Sequence, residues 1–131
     1  MDLKDAYAKM RNTISEFFIK EETAPREIEL FDRIIKNDIS TAEEFEIKST
    51  GYVISTLEAS LWCLLNTDNY LDAVFKAINL GEDTDTTACV VGGVAGLKYG
   101  LDEVPQEWIN KLARLEDIKE LSRRFNDVYL K

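Results

Sequence analysis

Histidine is absent from the 131-residue sequence, and cysteine and proline occur only twice each. Without histidine, the usual acid–base group of neutral pH and the commonest transition-metal ligand are both missing. Any chemistry must then rest on carboxylates and hydroxyls. Cys63 and Cys89 sit in apolar stretches without metal-ligand spacing. Both read as small buried residues in a reducing compartment, and nothing calls for a disulfide between them. No apolar run reaches membrane-spanning length, and Asp2, Lys4 and Asp5 interrupt any signal-peptide core. The expected location is cytoplasmic.

Positive charge is also short: 16 basic residues face 25 acidic ones, a net charge of -9. A chain of this sign is poorly equipped to neutralise nucleic-acid phosphates or to dock on anionic lipid. Neither nucleic acid nor membrane is expected as a partner. Cations suit it better, although acidity alone is equally typical of plain soluble proteins. With 45% hydrophobic residues the chain can bury a core, which excludes a disordered polymer. Its length suits a single domain.

Helical periodicity runs through nearly the whole chain. Leu3, Tyr7, Met10, Ile14, Phe17 and Phe18 form one stripe over residues 3–20. Pro25 fits the first turn of a second helix, with Ile28, Phe31, Ile34 and Ile35 as its buried face and Asn37 and Asp38 as its end. Residues 38–49 are polar and irregular. Over residues 50–66, apolar side chains cover most of the helix circumference, as expected of a central helix. Thr67, Asp68 and Asn69 make a cap-rich break. Tyr70, Val74, Phe75 and Ile78 then mark an amphipathic helix ending near Gly81.

The helix predicted over 85–99 presents the small residues Ala88, Gly92, Ala95 and Gly96. Interior glycines cost roughly 1 kcal/mol each relative to alanine. Such a cost suggests close approach by a neighbouring helix or a ligand. Gly100 is placed as its left-handed terminator. Pro105 opens a short helix with Trp108 and Leu112, and a last helix runs from about Leu115 to Tyr129 with Ile118, Leu121, Phe125 and Val128 inward. Strand alternation, internal repeats and low-complexity segments are missing. The fold class is all-α, an irregular helical bundle.

One segment could carry chemistry. Gly81-Glu82-Asp83-Thr84-Asp85-Thr86-Thr87 crowds three carboxylates and three threonine hydroxyls between two helices. Asp83 and Asp85, two apart, can point the same way in a turn, and Thr86 adds a hydroxyl oxygen. Such hard oxygens are what Mg²⁺ or Ca²⁺ prefers. Acids and threonines ahead of a helix are also ordinary N-caps, favoured by the helix dipole. The triplet is short of a full site, because Mg²⁺ takes about six oxygens.

The stretch Asn79-Leu80-Gly81-Glu82-Asp83-Thr84-Asp85-Thr86 resembles the C-terminal metal motif of the ADP-ribosylglycohydrolase family, Asn-Leu-Gly-x-Asp-x-Asp-Thr. Upstream, Ser49-Thr50-Gly51-Tyr52-Val53 with Thr56-Leu57-Glu58-Ala59 and Leu61-Trp62 is similar to the helix before that motif. Downstream, Gly92-Gly93-Val94-Ala95-Gly96 with Tyr99-Gly100 is similar to the family's glycine-rich helix, and Val104-Pro105 with Trp108 to its Ile-Pro-x-x-Trp element. The match covers roughly residues 45–120, with the motifs in the family's order.

The resemblance implies that Asp83, Asp85 and Thr86 are ligands of a pair of Mg²⁺ ions serving hydrolysis of an ADP-ribosyl glycosidic bond, on a protein side chain or a small molecule. The implied partner is an ADP-ribosylated substrate or ADP-ribose. The family's other ligands lie in an N-terminal Thr-Asp-Asp motif, which this sequence lacks; Thr67-Asp68-Asn69 is the nearest string. Ser55 stands where many relatives have Asp, and Glu82 where Gly or Asp is common. The expectation is therefore a partial domain holding half of the metal site, completed by an N-terminal half or a second copy in a homodimer. The alternative is a non-catalytic binding module that keeps the fold.

Overall fold

The computed structural model describes residues 2–130. Among them the regular structure is all helical: α1 (Leu3–Lys20), α2 (Pro25–Glu29), α3 (Asp32–Ile35), α4 (Val53–Leu65), α5 (Tyr70–Asn79), α6 (Thr84–Tyr99), α7 (Gln106–Asn110) and α8 (Leu115–Tyr129). Short 3-10 turns at Ile39–Thr41, Glu44–Glu46 and Leu101–Glu103 join them. The expected all-α irregular bundle is what forms. No helix among the described residues is long and apolar enough to cross a membrane.

The bundle is built around α4, whose Ala59, Ser60, Trp62, Cys63 and Leu64 are all buried. It packs against α5, α6, α1 and the turn at Ile39–Thr41. The Trp62 indole N–H donates to the Ala42 carbonyl at 2.8 Å, so the largest core side chain leaves no polar atom unpaired. Lys76 covers its outer face, with the ammonium 4.4 Å from the ring centroid. At the start of α4 the apolar circumference is not used: Tyr52 and Val53 remain exposed.

The hairpin of α5 and α6 makes the most extensive helix–helix contact. Ala73 and Ala77 on α5 and Val91 and Ala95 on α6 are fully buried. Small side chains at these positions let two backbones approach closely. Gly92 belongs to the same seam. A Cβ there would stand 3.3 Å from the Tyr70 hydroxyl and 3.8 Å from Val74. The predicted close approach thus holds at Gly92 but not at Gly96, where a Cβ would meet nothing within 4 Å. Cys89 corrects a second expectation. It is exposed on α6, whereas Cys63 is buried in α4, and burial pushes the Cys63 thiol up to about 12. Gly100 does take positive φ, 91°, but with ψ 167°, so the chain leaves α6 extended and not in the left-handed helical well.

Helix α1 is fastened to α3 by polar bonds. The buried Tyr7 hydroxyl donates to Ile34 O at 2.7 Å and accepts from Ile39 N at 3.3 Å. Arg11 donates to Ile35 O and Lys36 O, which satisfies the orphan carbonyls at the end of α3. The single helix expected after Pro25 is broken at Phe31, which has non-helical φ -104° and ψ 6°. The break lets Phe31 lie against Phe18 while Ile34 is buried. The segment 38–49 is irregular as expected, yet Ile39 and Ile47 are core residues.

Arg33 on α3 donates to the Glu58 carboxylate on α4 at 2.8 Å. Burial pushes the Glu58 pKa up, and the Arg33 guanidinium offsets part of that rise. This pair ties α3 to the central helix.

The last helix departs most from expectation. Ile118, Leu121, Phe125 and Val128 are not inward but exposed, and α8 has no substantial contact with any other helix. Arg114, in the left-handed conformation at φ 57°, turns the chain just before it. The polar face of α8 satisfies itself through pairs such as Arg114–Asp117, Lys119–Glu116 and Arg123–Asp127. Its apolar stripe has no cover among the described residues.

Candidate metal centre

Two consecutive left-handed residues make the connector between α5 and α6. Gly81 has φ 80° and Glu82 φ 55°. Glycine takes this conformation freely, whereas a glutamate there costs roughly 1–2 kcal/mol. The reversal is short enough to set Asp83 at the N-cap of α6 and Asp85 and Thr86 in its first turn.

Asp83 takes the N-cap position of α6 without a full capping hydrogen bond to its side chain. The Thr86 hydroxyl first, and then the Asp85 carboxyl, hold the Asp83 carboxyl below the usual carboxylate range. The Thr86 backbone N–H still contributes to that lowering, as a weak cap does. The three residues singled out from the sequence are therefore brought together at one place. Asp83 is half-buried, and Asp85 and Thr86 are exposed, so their oxygens face solvent and are open to a ligand.

The segment before α4 clasps this connector. Asp83 N donates to Ser49 O at 2.9 Å. The Ser49 and Thr87 hydroxyls meet at 3.1 Å, and both residues are buried. A Cβ on Gly51 would lie 2.8 Å from Asp83 Oδ2, so the Gly51 backbone runs directly against the carboxylate. Sequence reasoning noticed Ser49 and Gly51 only as part of a resemblance and gave Thr87 no role. The available signal was the register Thr87, Val91, Ala95, which puts Thr87 on the buried face of α6.

The donor chemistry fits a hard divalent cation in part. Two carboxylates and a hydroxyl at one helix end are suitable oxygens for Mg²⁺. The positive end of the α6 dipole opposes a cation there, so the two negative charges are needed to outweigh it. Among the described residues no group of three or more Asp, Glu, Cys or His converges as a metal site. The triplet is thus a fragment of a coordination sphere.

An all-helical bundle with an acidic connector leading into a glycine-lined helix narrows the class sharply. The whole chain, residues 1–131, matches the ADP-ribosylglycohydrolase family, and it belongs to that family. It is 47% identical over 79 residues to the ADP-ribosylarginine hydrolase Tri1 of Serratia proteamaculans, a match covering 60% of this chain and 22% of that protein. It is 42% identical over 82 residues to the ADP-ribosylarginine hydrolase Tri1 of Pseudomonas putida, covering 63% and 22%. With the ADP-ribosyl-[dinitrogen reductase] glycohydrolase of Rhodospirillum rubrum it shares 33% identity over 70 residues, covering 53% and 24%. The chain thus spans only about a fifth to a quarter of the length of these relatives.

Proposed function

We propose that this chain supplies one half of the metal site of a magnesium-dependent hydrolase that removes ADP-ribose from an arginine side chain. The observation that carries the reading is the gathering of Asp83, Asp85 and Thr86 at the start of α6, with the Asp83 carboxyl held below the usual carboxylate range. The names of the relatives supply the reaction class and make ADP-ribosyl-arginine the first linkage to test.

Asp83 and Asp85 would hold the cations and Thr86 would add a neutral oxygen. When bound, Mg²⁺ supplies Lewis-acid polarisation and fixes an oxygen-rich substrate in place. The chain's own part is rigidity. The Ser49–Thr87 hydroxyl pair and the Asp83 N–Ser49 O bond hold the connector still while the carboxylates stay open to solvent. Preorganised donors of this kind need no rearrangement to bind.

The remaining donors would come from another polypeptide segment. The accessible surface of 9176 Å² is well above the roughly 7,000 Å² that size scaling assigns to a 15.0 kDa monomer. Val90, Val94 and Leu97 on α6 lie exposed along the helix that starts at the acidic connector. Apolar surface of this extent favours a covering partner. A second copy brings the same donors again, so a segment bearing the family's Thr-Asp-Asp ligands is the better fit.

The deciding measurement is magnesium-dependent release of ADP-ribose from an ADP-ribosylated arginine substrate, by the chain alone and with a Thr-Asp-Asp-bearing segment of a relative. Release that Asp83→Ala abolishes is expected in the second case. No release in either would leave the non-catalytic binding module as the better reading.

A further inference from the structure

We propose that Gly51 is a positioning residue for the Asp83 carboxylate: the missing side chain at 51 reserves the space in which that carboxylate stands beside Asp85 and Thr86. The proposal rests on the reading of Asp83 as a metal ligand, and deepens it.

Three observations support it. First, glycine is not demanded here by the backbone. The glycines with positive φ are Gly81 and Gly100, and Gly51 is not among them. Second, burial does not demand it either, since Gly51 is exposed. A Cβ at this position would meet Asp83 Oδ2 at 2.8 Å and Asp83 Cγ at 3.8 Å, and nothing else within 4 Å. Its one conflict is with the carboxylate. Third, the backbone of Asp83 has no room to retreat. Its N–H is bonded to Ser49 O at 2.9 Å, its carbonyl accepts from Thr87 N at 3.2 Å, and the buried Ser49–Thr87 hydroxyl contact locks the two segments of the clasp together.

A methyl group at 51 must therefore be relieved by rotating the Asp83 side chain, because the end of a short flexible side chain is the softest element in reach. Rotation moves the Asp83 carboxylate from its place beside Asp85 and Thr86 and so disassembles the triplet. The fold itself has little reason to respond. Gly51 thus separates two properties that usually move together, site geometry and stability.

The test uses the full chain and three variants: Gly51→Ala, Asp83→Ala and, as control, Gly93→Ala, which adds a methyl into open space on α6. Magnesium chloride is titrated and followed by NMR, which also detects millimolar binding. The Asp83 carboxyl carbon and its χ1 couplings are read in the metal-free proteins. Gly51→Ala should shift the metal-free Asp83 carboxyl resonance and χ1 population, weaken magnesium binding at least tenfold, and leave the thermal midpoint unchanged. Gly93→Ala should leave the Asp83 signals and the affinity as they are.

If Asp83→Ala binds magnesium like the parent chain, the metal reading itself fails. If Asp83→Ala loses binding while Gly51→Ala keeps it, only the role of Gly51 is overturned. An unaltered Asp83 carboxyl signal in metal-free Gly51→Ala overturns the proposal, whatever the magnesium affinity.

Discussion

The α4–α5–α6 core and helix α8 follow the same sequence grammar and reach opposite outcomes. Both place apolar side chains at three- and four-residue spacing, spread around most of α4 and gathered into one stripe on α5 and on α8. In the core, Trp62, Val91, Ala73 and Ala95 are buried within one cluster. In α8, Ile118, Leu121, Phe125 and Val128 line up and touch no other helix substantially. What separates them is neighbouring chain. The core helices are tied by short connectors, a buried indole hydrogen bond and an ion pair from α3. Helix α8 is turned aside at Arg114 and supports itself through ion pairs within its own turns. Periodicity thus declares an apolar face, and the surrounding chain decides whether that face is covered.

Substitutions should expose this contrast in graded fashion. The largest effect is expected at Trp62, where truncation to alanine removes a nearly buried ring and orphans the Ala42 carbonyl. Trp62→Ala should lower unfolding free energy by about 3–5 kcal/mol in urea denaturation. A loss below about 1 kcal/mol would mean that α4 is not the centre of the core.

Next comes Arg33→Ala, with an expected loss at neutral pH of about 1–2 kcal/mol, the half-exposed arginine keeping the figure modest. Its pH dependence is the sharper reading. Burial raises the Glu58 pKa above its model-compound value of 4.5, so the folded protein holds that proton more tightly than the unfolded chain. The stability from Glu58 is then fully present below about pH 4.5 and declines as pH rises through the raised pKa. Arg33 matters only once Glu58 is charged. Thermal midpoints of parent and variant should converge near pH 4.5 and separate towards pH 7; a constant gap contradicts the ion-pair account.

Smaller still is Gly93→Ala, which should raise stability by about 0.5–1 kcal/mol, since the methyl improves helix propensity and meets no neighbour within 4 Å. A destabilised variant would show that this face of α6 is covered in solution. The smallest effect belongs to α8. Leu121→Ala should shift the stability of the chain on its own by no more than about 0.5 kcal/mol. A loss of 2 kcal/mol or more, especially one that depends on protein concentration, would reveal a partner on the α8 stripe and erase the contrast with the core.

Much of the candidate site was legible in the residues. Asp83, Asp85 and Thr86 stood out as hard oxygens in a connector, and the surrounding motifs pointed to the family to which the chain belongs. Their convergence was not legible, because acids ahead of a helix serve equally as caps. Only the folded connector shows the Asp83 carboxyl beside the Thr86 hydroxyl and Asp85 without a full capping bond. The clasp was invisible for another reason. Ser49 and Thr87 are 38 residues apart, and no local pattern encodes which hydroxyls meet across such a distance. Cys89 was misjudged because apolar neighbours in sequence do not say on which side of a helix a residue lies.

By itself, the order of residues determined the helices, their apolar faces, the net charge and the acidic connector, since these follow from spacing, propensity and side-chain chemistry within a few turns. Tertiary structure alone decided which faces are covered, how closely the Gly51 backbone runs against Asp83, and which hydroxyls meet across the clasp. Those are matters of distance between segments remote in sequence, and they are settled only when the helices pack.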